Sequence, residues 1–555
     1  MTDGLKTDGM QLEERIGRMS LRQKIGQMLL CGFHGTEMSG ELERFIKEHQ
    51  IGGVIYFARN VESAAQVAKL SAELQRAAAE ADSIPLWVSI DQEGGMVARI
   101  TEGVALTPGN MAIAAAGSRD AAELLAFISG QELKALGVNL NYAPVLDVNN
   151  NPLNPVIGVR SYGESPELAA EYGARAIRGL QNAGVAATAK HFPGHGDTSV
   201  DSHLDLPTVL HDRERMERIE LVPFKRAIAE GVDAIMSAHI RFPALEPEGL
   251  PATLSRTVLK GLLREELGFE GVITTDCMEM NAIASHYGTV EAAVMAVEAG
   301  ADVVLISHRA DLQAGALDAI ERAVRDGRLS EARIEQSVKR LLALKAKRGV
   351  LAGGGLLPQE PLEAVLARPA HLEAARKVSE DSVTLVRDEA GTLPLKRERT
   401  LAITVAAAVM TQVDETFGGG QSLGAALAAG GLDVIDRVVS LKSVEAETAA
   451  LVAAAEAADV KQIVFGTYNA HFHPAQVELA RKLQQLGKPL AAVGLRNPYD
   501  LLALPDDAAF VAVYESRPLA LQSAAKALLG LIPFRGRLPV SLGERYPAGW
   551  GVQRP

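Results

Sequence analysis

The densest chemistry in this 555-residue chain lies between Lys190 and His203. Lys190-His191-Phe192-Pro193-Gly194-His195-Gly196-Asp197-Thr198 is followed closely by Asp201-Ser202-His203, so three histidines, a lysine and two aspartates share one short segment. An aspartate two residues before a histidine can hold one ring nitrogen and favour the imidazolium. The other nitrogen is then free to act as general acid and base near neutral pH. The competing reading is a solvated surface loop, and the closeness of Lys190 and His191 argues for a site instead. Asp276 ends the otherwise apolar Gly271-Val272-Ile273-Thr274-Thr275. A carboxylate buried there is costly unless hydrogen-bonded, so Asp276 is either a reacting group or the N-cap of the next helix. Asp91-Gln92-Glu93-Gly94-Gly95, with Arg99 behind it, can bind sugar hydroxyls through charge-assisted hydrogen bonds, or can form a buried ion pair.

Two other classes of protein fit some of these residues. His191, His195, Asp197, Asp201 and His203 offer enough donor atoms for a metal-dependent hydrolase. Such a barrel enzyme would carry His-x-His at its first strand, where Gly32-Phe33-His34-Gly35 stands instead, and there is no His-Glu-x-x-His. A non-catalytic sugar-binding protein would explain the Asp, Arg and Lys residues. It has no need of a carboxylate and an Asp-His pair facing one another across a mouth.

Such residues must be carried by rigid elements, and a repeating pattern supplies them. Short apolar runs alternate with Ala- and Glu-rich helical stretches: Met28–Cys31, Gly53–Phe57, Leu86–Ile90, Leu140–Ala143, Val185–Ala189, Ala234–Ser237, Gly271–Thr274 and Val303–Ile306. Eight β-α units predict a (β/α)8 barrel, with a doubly wound open sheet as the alternative. Ligand-type residues recur where the runs stop: Asp91, Glu93 and Arg99 after the third, Asp147 after the fourth, Lys190 and His191 after the fifth. His239 and Arg241 follow the sixth, Asp276 the seventh, and Ser307 and His308 the eighth. Charges converging on one end of a barrel are the arrangement of an active site.

Residues 10–26 read as a lead-in helix and Ser330 to Lys347 as a closing one. A Gly- and Pro-containing connection runs from Gly353-Gly354-Gly355 to about Pro369. Beyond it Leu401–Val405, Val434-Ile435, Gln462–Phe465, Leu490–Val493 and Phe510–Val513 restart the alternation, predicting a smaller three-layer α/β sandwich. The expected organisation is a catalytic barrel over 1–348, a linker over 349–370 and the sandwich over 371–555. Gly418-Gly419-Gly420 has the wrong spacing for a nucleotide fingerprint. Tyr468-Asn469-Ala470-His471-Phe472-His473-Pro474 reads as a packed inter-domain or dimer contact rather than a loop at the barrel mouth.

A net charge of −13 with no basic patch argues against nucleic acid. The two cysteines, Cys31 and Cys277, are too few for a disulfide framework. The first residues lack the apolar core of a signal peptide, and no apolar run is long enough for a bilayer. A cytoplasmic protein without membrane partners is the expectation, and an oligomer is compatible with the pattern.

Taken in order, Asp91–Gly95, Lys190–Gly196, Asp201-Ser202-His203 and Gly271–Asp276 resemble glycoside hydrolase family 3, in its bacterial β-N-acetylglucosaminidase branch. The likeness covers roughly residues 10–345, and Ser382–Val386 with Leu393-Pro394-Leu395 resembles the start of that family's second domain. The resemblance implies that Asp276 is the nucleophile of a double displacement and that His203, oriented by Asp201, is the acid/base. It also implies sugar-binding roles for Asp91, Arg99, Arg160, Lys190 and His191, with Arg160 standing in Gly158-Val159-Arg160-Ser161-Tyr162. No metal or organic cofactor is implied. The expected substrates are muropeptides or chitooligosaccharides ending in N-acetylglucosamine. The runner-up is a β-glucosidase of the same family, whose acid/base is a glutamate of the second domain. Met96 replaces a frequent arginine, removing a charge expected near the barrel mouth, and Cys277-Met278 follows Asp276 in place of Asp-Leu or Ala-Leu. A neutral imidazole would not repel phosphate as a glutamate base would, so phosphate is expected to compete with water for the intermediate.

Overall fold

The computed structural model describes residues 12–352, 360–408 and 421–554. Eight parallel strands close into a barrel in chain order. They are β1 (Leu29–Gly32), β2 (Gly53–Tyr56), β3 (Trp87–Ile90), β4 (Leu140–Asn141), β5 (Ala186–Phe192), β6 (Ala234–Ser237), β7 (Val272–Cys277) and β8 (Val303–Ile306). β8 returns to pair with β1, Leu29 opposite Val304, which rules out the open sheet. The strands are buried on both faces, which is why they read as continuous apolar runs.

Three expected elements differ in detail. The lead-in helix is broken: residues 12–18 are helical, and α1 (Leu21–Gln27) starts afresh. Ser20 Oγ accepts the Gln23 N–H at 3.2 Å while Gln23 Oε1 accepts the Ser20 N–H at 2.8 Å, a capping box that restarts the helix. β4 stops at Asn141, short of Pro144, which has no N–H to pair. β5 runs on through Phe192, which pairs with Ser237 after a register shift. Lys190 and His191 are therefore strand residues and not the start of the loop.

The lower end of the barrel is stopped by Lys345 of α2 (Glu331–Lys347). Its Nζ, fully buried, donates to Gln27 Oε1 at 3.0 Å and Gly52 O at 2.9 Å, with the Trp87 ring 5.9 Å away. Burial pushes this amine well below its ordinary value.

A second sheet comprises β9 (Thr384–Arg387), β10 (Thr400–Val405), β11 (Val434–Val439), β12 (Gln462–Thr467), β13 (Leu490–Gly494) and β14 (Ala509–Ala512), preceded by α3 (Pro369–Ser382). Its order is β9-β14-β13-β12-β10-β11, parallel except where β9 meets β14. The expected triglycine stretches, Gly353–Gly355 and Gly418–Gly420, and the first two residues of the lead-in helix lie outside the described residues.

The seam between the two sheets is apolar and specific. Met96, Met111, Ala112, Ala115 and Val159 of the barrel loops belong to the same buried cluster as the second sheet. Met96 is thus in the seam, 4% exposed, and not at the barrel mouth as its sequence position suggested. Arg517 donates to Gly95 O at 2.9 Å and Met96 O at 3.1 Å, Asn497 Oδ1 accepts the Val159 N–H at 3.0 Å, and Asn149 Nδ2 donates to Tyr499 OH at 2.8 Å. The Tyr468–Pro474 loop braces this seam: Asn469 Oδ1 accepts the Asn497 N–H at 3.3 Å, and His471 Nδ1 donates to Asp500 Oδ1 at 2.8 Å.

Candidate active site

A cavity of about 310 Å³ opens at the C-terminal ends of the barrel strands. Of the residues singled out from sequence, Asp91, Arg99, Arg160, Lys190, His191, His203 and Asp276 line it, and Asp201 stands behind His203. No second-domain residue is among those lining it, within the described residues.

Asp276 is the penultimate residue of β7, and its Oδ1 accepts the N–H of Cys277 at 2.7 Å. The next helix begins only at Asn281 with Met280 before it, so Asp276 is not a helix cap. Burial opposes its ionisation, but the imidazoles of His239, His191 and His203 and the Cys277 N–H outweigh burial. The carboxyl is held at about 2 and is ionised at neutral pH.

One wall is a buried ion network. Lys190 Nζ lies 2.7 Å from both Asp91 Oδ1 and Glu93 Oε1. Arg160 grips Glu93 with two bonds, Nε to Oε2 at 3.0 Å and Nη2 to Oε1 at 2.8 Å, while Arg99 Nη2 is 3.6 Å from Asp91 Oδ2. Burial would raise Glu93, yet the two cations beside it hold it far below the usual carboxylate range. Alternating signs are what make so many charges tolerable away from water.

Asp147, fully enclosed, organises β5. Its Oδ2 accepts His191 Nδ1–H at 2.7 Å, and Oδ1 accepts the backbone N–H of His191 at 3.1 Å and of His195 at 2.7 Å. Burial and the neighbouring His191 push His195 down to about 4. Its neutral ring contacts Thr198 Oγ1 at 2.9 Å and Ser202 Oγ at 3.1 Å, tying down the loop that carries the Asp-His pair. In that pair His203 Nδ1 donates to Asp201 Oδ1 at 2.7 Å, and the His203 N–H reaches the same oxygen at 2.9 Å. Burial works against ionisation of Asp201, but the hydrogen bond from His203 prevails and lowers it. His239 stitches β6 to β7 through Thr253 Oγ1 at 2.8 Å and Cys277 O at 3.0 Å.

The metal-hydrolase reading fails on this geometry. His195 is spent on Thr198 and Ser202, and Asp197 turns to His211 at 2.7 Å and Arg215 at 3.5 Å, so the five proposed ligands do not converge. Glu93 forms the buried ion pair that its segment allowed; His195, offered as a metal ligand, instead braces the loop, and Asp147 and His239 are structural parts of the site that sequence reasoning left without a role. Glu93, Asp147 and His239 carried the same signal as the assigned residues, a polar side chain where an apolar run ends. Their partners were not visible.

A closed (β/α)8 barrel with carboxylates and histidines gathered at the C-terminal ends of its strands has the architecture of the barrel enzymes. Residues 20–344 match the family model "Glycosyl hydrolase family 3 N terminal domain". The chain belongs to glycoside hydrolase family 3 and is a glycoside hydrolase. It is 33% identical over 570 residues to "Beta-hexosaminidase A" of Pseudoalteromonas piscicida, covering 93% of each chain. It is 31% identical to the "Beta-N-acetylglucosaminidase/beta-glucosidase" of Cellulomonas fimi, over 95% of this chain and 94% of the relative. A solved glycoside hydrolase family 3 β-N-acetylglucosaminidase from Paenibacillus sp. str. FPU-7 superposes with a TM-score of 0.91 at 50% identity, covering 94% of this chain and 99% of that one.

Proposed function

We propose that the protein is a retaining exo-β-N-acetylglucosaminidase that removes terminal non-reducing β-linked N-acetylglucosamine. The observation that carries this reading is that an ionised, half-buried Asp276 and an Asp201-held His203 line one cavity. The printed activities of the relatives support the acetamido sugar. A carboxylate oxygen of Asp276 bonds to the anomeric carbon as the glycosidic C–O bond breaks, and His203 gives its proton to the departing oxygen. Water then attacks the anomeric carbon, its proton passes to His203, and the bond to Asp276 breaks with the β configuration restored. Lys190, Asp91, Arg99, Arg160 and His191 bind the hydroxyls of the non-reducing sugar. Muropeptides and chitooligosaccharides are the substrates in this reading, and a place in peptidoglycan recycling in the cytoplasm follows from the former.

The deciding measurement compares matched aryl β-N-acetylglucosaminide and β-glucoside, with and without chelator. Chelator-resistant cleavage of the acetamido sugar, lost in Asp276→Asn and His203→Ala, is the expected result. Preference for the plain glucoside would overturn it. Because the acid/base is an imidazole and not a carboxylate, adding phosphate is expected to yield some sugar 1-phosphate. Free sugar alone at high phosphate would dispose of that expectation.

A further inference from the structure

We propose that Cys277, Glu279 and His308 form a binding site for a thiophilic divalent cation, zinc above all, in the wall of the barrel cavity. The three come from the adjacent ends of β7 and β8, where Cys277 pairs with Leu305. One donor atom from each, the thiol sulfur, a carboxylate oxygen and a ring nitrogen, lies within 4.8 Å of the others. This is the sole such cluster of His, Cys, Asp and Glu among the described residues. Bonds of about 2.0–2.3 Å hold zinc ligands somewhat closer together, so small side-chain torsions complete the set. A sulfur, oxygen and nitrogen trio suits zinc and not magnesium or calcium, which take oxygen. All three side chains line the cavity, which gives the ion an entrance and leaves its fourth position open.

His308 is exposed at the rim of the cavity, so its ring nitrogens are accessible to an arriving ion. Glu279 Oε2 accepts the backbone N–H of His308 at 2.6 Å, which ties the carboxylate to the segment that carries the ring. Cys277 is a free cysteine, and forming the sulfur–zinc bond releases the thiol proton to solvent. The neighbour of Cys277 is Asp276, so an ion bound here adds positive charge next to the carboxylate assigned the chemistry. The site itself does not depend on that assignment.

The test is made on the full-length chain after chelator treatment and desalting, titrated with zinc chloride alone and then with cobalt(II). One zinc per chain is expected, weakened at least tenfold in Cys277→Ser and in His308→Ala. The cobalt protein should show a thiolate-to-cobalt charge-transfer band that Cys277→Ser lacks and Cys31→Ser keeps. Absence of binding, cobalt bound without that band, or affinity unchanged in both ligand variants would overturn the proposal. Should Cys277→Ser fail to fold, the spectrum of the unaltered protein and the His308→Ala titration decide alone.

Discussion

Two carboxylates, Asp276 in the cavity and Glu93 in the ion network behind it, are predicted to answer differently to the loss of their charge. Asp276→Asn should keep the fold and lose at least roughly 10³-fold in kcat, because a reacting group is gone. Glu93→Gln removes the shared counter-charge of Lys190 and Arg160, so Arg160 loses its ion-pair partner while Lys190 keeps Asp91. A cost of about 3–5 kcal/mol, read by urea unfolding, is expected. Since Asp276 is held at about 2, it is ionised across the usual assay range. A fall in kcat/KM between pH 6 and 4 must then come from another group and should survive in variants that leave Asp276 alone. The depressed carboxyl also contributes stability above its unfolded value that is lost as pH falls through about 2. The Asp201–His203 pair was legible because both members sit in one tripeptide. The Glu93 network was not, since Arg160 lies 67 residues from Glu93 and only folding selects that partner.

At the level of elements, the barrel was readable because parallel strands buried on both faces leave uninterrupted apolar runs. Where those strands end was less readable. Lys190 and His191 look like loop residues by polarity, yet β5 carries them because Asp91, Glu93 and Asp147 satisfy their side chains inside the barrel. The turn after β5 depends on a close approach. A Cβ on Gly196 would lie 1.8 Å from Val148 O, which belongs to the segment just after Asp147. Gly196→Ala should therefore cost roughly 1–3 kcal/mol by overpacking and shift the loop bearing His203. Steady-state kinetics should show kcat falling further than KM rises.

The whole molecule is joined by a seam with its own pH dependence. Glu515 is buried there: a Cβ on Gly95 would come within 3.0 Å of Glu515 Oε2. Burial raises its carboxyl to about 7 against the pull of Arg517 and the Gly109 N–H. The folded chain thus binds a proton that the unfolded chain has released between about 4.5 and 7, so this group's contribution to stability falls as pH rises through that window. Thermal unfolding from pH 5 to 8 should show the decline, and Glu515→Gln should flatten it. Cutting the chain after residue 348 would expose Met96, Met111 and Val159. Poor soluble recovery and weakened activity are expected, because Arg517 no longer holds Gly95 and Met96 beside the Asp91–Glu93 wall. Sequence periodicity indicated two sheets. It could not indicate that a methionine next to the Asp91–Glu93 segment belongs to the core of the other one.

The stopper at the foot of the barrel has a consequence for synthesis on the ribosome. Gln27 Oε1 waits for Lys345, while Gly52 O also accepts the Trp87 N–H, so a growing chain keeps the foot of the barrel unstoppered until the last barrel helix has emerged. The loop holding Asp91 and Glu93 waits longer, for Arg517, and the segment holding Arg160 waits for Asn497. A stalled product that stops short of those residues would carry every assigned side chain and still lack a finished site.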